Sequence, residues 1–394
     1  MKIKIAGLFL FALTIGAVVF YPALEAKHAG EDPDVVFHAQ DRPVVDVVFV
    51  LDTTGSMSGL IQTAKEKIWS IASTMASAQP TPDIRIGLVG YRDRGDAYVT
   101  RVVDLNDNLD AVYSALMSFE AGGGGDTPES VNKALYDAVN EMSWSDRSQA
   151  YQAIFLVGDA PPHMDYNEAR YPEIIAAATR KGIVVNTIQC GDLPMTAGPW
   201  TSIANLGNGS FFQVEQAGSA VAYATPFDEE IAKLSAELDS TRIWYGSREE
   251  RERKQSETAE VEEVIVSAST AAKARRGIFN AAPAGRENLL GDNELVDAVT
   301  SGDVDLAELD ADNMPAALVP LAPEEQVAYI DKLAAERADL QQKIRQLAED
   351  RESFIAQKVE EAGGLESSLD KRLYEAVKEQ AGKAGLEYSD GPAY

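Results

Sequence analysis

Residues 47–51 are apolar and largely β-branched, and the run stops at the carboxylate of Asp52. An apolar run without alternation is the pattern of a parallel strand buried on both faces. Leu60, Ile61, Ala64, Ile68, Ile71 and Met75 then recur at helical spacing, predicting a helix over residues 59–75. Further strands are predicted over 84–90, 98–105, 153–157, 183–189 and 210–214, and further helices over 109–119, 130–142, 172–181 and 227–238. Pro128 and Glu129 read as the opening turn of the helix at 130–142. This alternation predicts an α/β fold with a doubly wound, mainly parallel sheet over residues 44–240, the strand at 98–105 lying on its edge.

Beyond residue 240 the pattern changes. Residues 241–320 hold a charge run from Glu249 to Lys254, alanine-rich helical sequence to Arg276, and loops around Gly285, Gly291 and Gly302; no role is assigned to them. In residues 321–382, Ile330, Leu333, Leu340, Ile344, Leu347, Phe354 and Ile355 recur at heptad-like spacing. An amphipathic, coiled-coil-prone helical region is expected there, packed on its own domain or self-associating through residues 323–355. Arg337 and Arg351 fall on the same seam. Residues 382–394 read as a loose tail.

At the other end, Lys2 and Lys4 precede an apolar stretch at residues 5–21, closed by Pro22. Residues 1–26 therefore read as a signal peptide, or as a single N-terminal membrane anchor, with 27–43 as a linker. The remainder is expected outside the cytoplasm, in the cell envelope, periplasm or extracellular space. The net charge of −28 over 394 residues leaves no basic stripe for a nucleic-acid backbone. The lone Cys190 excludes an internal disulfide framework and reads as a buried, inert thiol.

Chemistry concentrates at the strand ends. Asp52, Thr54 and Ser56 alternate around Gly55, gathering three oxygen ligands in one tight loop as hard divalent cations require. Asp93 and Asp159 follow two further strands, and ligands of doubly wound sheets sit beyond the carboxyl ends of strands. A metal site is expected at that edge. Thr54 and Ser56 also suit simple helix capping. Asp93 is expected to pair with Arg92 or Arg94, and His163 to sit on the rim, packed on Pro161 and Pro162. No Gly-Lys-Ser/Thr occurs for a phosphate-cradling loop.

Asp52-Thr53-Thr54-Gly55-Ser56-Met57, Gly90-Tyr91-Arg92-Asp93, Gly123-Gly124-Gly125-Asp126-Thr127-Pro128-Glu129 and Gly158-Asp159-Ala160-Pro161-Pro162-His163 occur in that order. Together they resemble the von Willebrand factor type A domain, in the variant of hemicentin-type and alpha-kinase-associated proteins; nothing here resembles an alpha-kinase domain. The resemblance implies a Rossmann-like fold and a metal-ion-dependent adhesion site (MIDAS). It implies Asp52, Thr54, Ser56 and Asp159 as ligands of Mg²⁺ (or Mn²⁺ or Ca²⁺), with either Asp126 or Thr127 as the remaining one. It also implies an open coordination position for an acidic side chain of a partner protein; Asp93 and His163 are expected on the partner-binding rim.

The function expected is a non-enzymatic, metal-dependent adhesion or assembly module. Two alternatives stand beside it. Asp52-Thr53-Thr54-Gly55-Ser56 is similar to the phosphorylation loop of haloacid-dehalogenase-type phosphotransferases, in which Asp52 would be the nucleophile. That family's lysine is absent here. The other alternative is a helical scaffold in which a structural metal only braces the domain.

Overall fold

The structure, a computed structural model, describes residues 42–125, 127–147, 150–214, 224–361 and 369–388. The signal or anchor segment and most of the linker lie outside these residues. Among the described residues no helix is long and apolar enough to cross a membrane.

The chain opens with β1 (Val44–Asp52), a 3₁₀ turn (Gly55–Met57), α1 (Ser58–Ala76), β2 (Asp83–Tyr91), β3 (Thr100–Asn106) and α2 (Leu109–Met117). It continues through α3 (Val131–Asn140), β4 (Tyr151–Gly158), α4 (Tyr171–Arg180), β5 (Val184–Cys190), α5 (Pro194–Leu206) and β6 (Asn208–Val214). The strands form one sheet in the order β3-β2-β1-β4-β5-β6. All neighbours are parallel except β2 and β3. Every residue of β1 is buried, as a central strand covered on both faces requires. Val45, Val47, Phe49 and Leu51 face one hydrophobic layer, with Trp69 and Met75 of α1 and Val112 and Leu116 of α2. Val48 and Val50 face the other, with Leu135 of α3, Ile175 of α4 and Trp200 of α5. Strand order reverses direction between β1 and β4, so the crevice beyond their carboxyl ends is the sheet's switch point. α5 has no counterpart among the predicted helices, because Pro194, Gly198 and Pro199 mask its pattern.

The chain then leaves the sheet for α6 (Asp228–Asp239), α7 (Arg248–Ser267), α8 (Thr270–Ala281), α9 (Arg286–Leu290), α10 (Leu295–Ser301) and the long α11 (Pro323–Glu361). The seam of α11 is covered by its own chain: Leu340 and Ile344 pack with α6 and α8, and Ile330 packs with Leu295 and Val296 of α10. The seam arginines explain the choice. Arg337 reaches Glu294 at 2.9 Å and the Thr241 carbonyl at 2.9 Å, and Arg351 meets Asp228 at 2.9 Å. Such residues would burden a seam between chains, yet within the chain each has a built partner. The expected self-associating face is thus occupied internally.

The last helix, α12 (Leu369–Gly382), returns to the sheet. Leu373, Tyr374, Val377 and Ala381 join the layer beneath β1 and β4. Gln380 accepts from the Tyr151 hydroxyl at 2.8 Å and donates to Asn186 at 2.9 Å. Part of the expected loose tail is also packed, since Leu386 and Tyr388 are buried and Gln79 pairs with Glu387. Residues 389–394 lie outside those described. Two segments far apart in sequence therefore build one α/β unit.

Candidate metal centre

β1 delivers Asp52 to the switch point with its side chain fully buried. Asp52 Oδ1 accepts from the Thr54 backbone N–H at 2.8 Å and from Thr54 Oγ1 at 2.6 Å. Thr54 Oγ1 lies 3.2 Å from Ser56 Oγ, so the three oxygens of the loop form one connected chain. Asp52 Oδ2 has no hydrogen-bond partner among the described residues. Burial pushes the Asp52 carboxyl up to about 7, with the bonds from Thr54 and the backbone of Asp159 opposing and the charge of Asp159 adding to the rise.

The close approach of β4 depends on Gly158. A Cβ there would lie 2.5 Å from the Tyr91 hydroxyl and 2.9 Å from Asp52 Cβ, so only glycine brings Asp159 this near. Asp159 is held through its backbone: its carbonyl accepts from Thr196 Oγ1 at 2.8 Å, and the next carbonyl, of Ala160, accepts from Trp200 Nε1 at 3.1 Å. The glycine loop arrives from a third direction. Gly123 has φ +76°, and a Cβ on it would lie 2.3 Å from the Asp96 carboxylate. Asp96 Oδ2 accepts from Gly124 N–H at 3.0 Å, and the Gly123 carbonyl accepts from Gly55 N–H at 3.2 Å. The glycines thus let the loop close onto the Asp52 turn.

A cleft of about 480 Å³ opens there, and Ser56, Thr127, Glu129, Asp159, Cys190 and Asp192 are among its lining residues. The structure therefore gathers Asp52, Thr54, Ser56, Asp159 and Thr127 at one edge of the sheet. Thr127 is exposed on the wall; Asp126 lies outside the described residues. Cys190 is buried and free, and its thiol is pushed up by burial and by the charges of Asp159 and Asp52.

Asp93 and His163 are placed differently from expectation. Both are only 5% exposed, so they form no accessible rim. Asp93 accepts from Ser130 Oγ at 2.9 Å and Tyr166 at 2.9 Å, and lies 3.4 Å from His163 Nε2. Arg92 instead binds the Thr53 and Glu120 carbonyls, and Arg94 pairs with Glu168. His163 stacks on Tyr166 at 3.9 Å rather than on the prolines and pairs with Asp165. These contacts strap the loop after β4 to the loop after β2.

Sequence reasoning missed Glu129. Its place after Pro128 predicts a first-turn residue, but α3 begins at Val131 and Glu129 forms a parallel bridge with Pro162. Its side chain is turned into the cleft and is 3% exposed. Oε2 has no hydrogen-bond partner among the described residues. Burial pushes its carboxyl up to about 9, with further upward contributions from Asp52, Asp93, Asp96 and Asp159.

These donors fit a hard cation. All are oxygens, and two buried carboxylate atoms lack partners, a condition that in native proteins calls for an explanation such as an ion. Among the described residues no three His, Cys, Asp or Glu side chains gather at one point in metal-binding geometry. A cation here would rest on two carboxylates and two hydroxyls rather than on a cage of acids.

The family model described as a von Willebrand factor A domain matches residues 46–214. Among curated proteins, an ariadne-like RING finger protein of Acanthamoeba polyphaga mimivirus is 28% identical over 130 residues, covering 32% of this chain and 12% of that protein. The alpha-protein kinase vwkA of Dictyostelium discoideum is 29% identical over 121 residues, covering 30% of this chain and 19% of that protein. The chain thus spans less than a fifth of the length of either relative. Among solved structures, proximal thread matrix protein 1 of the mussel byssus, with a zinc-occupied MIDAS motif, aligns with a TM-score of 0.34–0.35 across its crystal forms. In the zinc form it is 18% identical, covering 44% of this chain and 42% of that one. With the strand order, the Asp-x-Thr-x-Ser turn and the family match in agreement, residues 46–214 of this chain are a von Willebrand factor A domain.

Proposed function

We propose that this protein is a metal-dependent binding module, exported to the cell envelope or beyond, that captures an acidic side chain of a partner protein. The observation that carries the reading is Asp52. A fully buried carboxylate keeps one oxygen without a partner, beside Asp159, which lines an open cleft. Burying an unpaired carboxylate is costly unless a counter-charge arrives. Asp52, Thr54, Ser56 and Asp159 would hold a divalent cation, with Mg²⁺ first, then Mn²⁺ or Ca²⁺. Bound there, the ion supplies a hard positive charge that attracts one further anionic oxygen. Thr54 and Ser56 are neutral donors, so they add no negative charge against that oxygen. The Thr54 bonds to Asp52 Oδ1 fix the carboxylate and leave Oδ2 free to ligate.

Export is supported by Lys2, Lys4 and the apolar stretch at 5–21. The acidic composition suits a cation-binding role and argues against nucleic acid as the main partner. Calorimetric titration of Mg²⁺ or Mn²⁺ into the protein tests the site. Asp52→Ala and Asp159→Ala should each remove cation binding while leaving the fold intact. Unchanged affinity in both variants rules the site out. Retention of envelope proteins from an extract with Mg²⁺, lost with chelator and lost in Asp52→Ala, tests the capture step.

A further inference from the structure

We propose that the cleft between α2, α7 and α9 is a second ligand site, which takes a small zwitterion: a short peptide with a free ammonium and a free carboxylate. The cleft has a volume of about 670 Å³, within the range of small-molecule sites. It shares no lining residue with the cleft at the switch point. α7 forms its outer wall. Lys254, Thr258, Val261 and Val264 line the cleft at spacings of three and four residues, so one face of the helix looks inward along about 15 Å. None of the 20 residues of α7 is buried, so the chain itself leaves this inward face open.

The walls carry opposite charges. On the α7 side, Lys254 Nζ lies 6.0 Å from the centroid of the Trp244 ring, and Arg242 Cζ lies 5.9 Å from it. A bridge to Glu294 fixes the Trp244 backbone. Arg242 is answered by Asp239 at 3.4 Å. Lys254 makes no ion pair among the described residues, although the chain holds 63 Asp and Glu against 35 Lys and Arg. Across the cleft stand Asp107, from the loop before α2, and Glu287 of α9. Burial pushes the Glu287 carboxyl up, Arg286 opposes the rise, and the charge of Asp107 adds to it. Asp107 makes no ion pair among the described residues, and Arg85, whose charge it feels, is committed to Asp46. An unmatched lysine calls for an anion and unmatched carboxylates call for a cation. Glu257, Glu260 and Asp292 add negative charge to the walls, so a simple anion is repelled and a ligand bearing both charges is favoured. On the α2 wall, Ser114 Oγ is buried without a hydrogen-bond partner among the described residues, which leaves a hydroxyl for a peptide group.

The test is calorimetric titration of the dipeptide leucyl-leucine into the full chain in chelator, where no cation at the switch point can hold its carboxylate. N-acetyl-leucyl-leucine, which lacks the ammonium, and leucyl-leucine amide, which lacks the carboxylate, are titrated beside it. The free dipeptide should bind, and each capped form should bind about tenfold more weakly or worse. Lys254→Gln should bind the free dipeptide and its amide alike, and Asp107→Asn/Glu287→Gln should bind the free and acetylated forms alike. Both variants should melt as the wild type does, since exposed charges contribute little to stability. Four results overturn the proposal: no heat from the free dipeptide up to millimolar concentration, capped forms within about twofold of it, unchanged discrimination in both variants, or binding that requires Mg²⁺. The last would place the dipeptide carboxylate at the switch point instead. Because the titration is run in chelator, failure here leaves the cation site standing, and failure of the cation site leaves this result standing.

Discussion

Two regions of this molecule bury carboxylates, and they treat them in opposite ways. Within the helical region, and where it meets α2, the buried acids Asp110, Asp228 and Glu294 each have an arginine. Arg276 spans Asp110 and Asp239 at 2.6 Å each, Arg337 meets Glu294 at 2.9 Å, and Arg351 meets Asp228 at 2.9 Å. At the switch point Asp52 and Glu129 are equally buried, but each keeps an oxygen without a hydrogen-bond partner among the described residues. The residue types are the same. What differs is whether the chain supplies the counter-charge. An acid matched from within ties elements together, and an acid left unmatched in an open cleft is a place for something from outside. Both kinds of site follow from the cost of burying charge.

The largest test of this contrast removes the closing helix. Ending the chain after residue 361 strips Leu373, Tyr374, Val377, Leu386 and Tyr388 from the layer beneath the sheet. Each large apolar side chain contributes about 1.5–3 kcal/mol when fully buried, and the whole domain is stable by only about 5–15 kcal/mol. The truncated chain should show no cooperative thermal transition, with or without Mg²⁺. A truncated protein that still melts cooperatively and binds Mn²⁺ would show that the helical region and the sheet are separable after all.

Breaking a matched pair should cost less, but still much. Arg276→Ala leaves Asp110, 5% exposed, without its cation, while Asp239 keeps only Arg242 at 3.4 Å. Losing one partner of such a pair costs about 3–5 kcal/mol. Urea denaturation should register that loss equally in Mg²⁺ and in chelator, because this charge was never waiting for a metal. A destabilisation that Mg²⁺ repairs would mean the two regions are coupled, and the contrast would fail.

The difference also explains what could be read from the chain. The parallel strands were legible because residues 47–51 and 153–157 are unbroken apolar runs, and the site was legible because Asp52, Thr54 and Ser56 stand within five residues. Asp159 was found from its place after a strand. Glu129 was not, since its place in the cleft depends on a bridge to Pro162 that residue spacing does not encode. The heptad-like seam of α11 was seen but its partner was not: amphipathicity shows that a face is covered, not by what. Arg337 and Arg351 on that seam held the answer, because a buried arginine needs an acid, and Glu294 and Asp228 lie 43 and 123 residues away. α12 was hidden for the same reason of distance.

The smallest effect per unit change is the pH dependence of the protein freed of metal. Folding raises the carboxyl of Asp52 from 3.8 to about 7 and that of Glu129 from 4.5 to about 9. Between those limits the folded protein holds protons that the unfolded chain has already released. The stability these groups permit is therefore fully present below about pH 4 and is lost as the pH rises through 7 and toward 9, by at most about 1.4 kcal/mol per pH unit for each group. In chelator, the urea midpoint should fall between about pH 5.5 and about pH 8.5. Saturating Mg²⁺ should flatten that fall, because a bound cation stabilises the ionised carboxylates and releases their protons. Arg276→Ala should shift both curves down without changing either slope. If the chelated protein instead holds or gains stability across this range, Asp52 and Glu129 are answered from within the chain like the acids of the helical region, and the switch point has no vacancy of charge to fill.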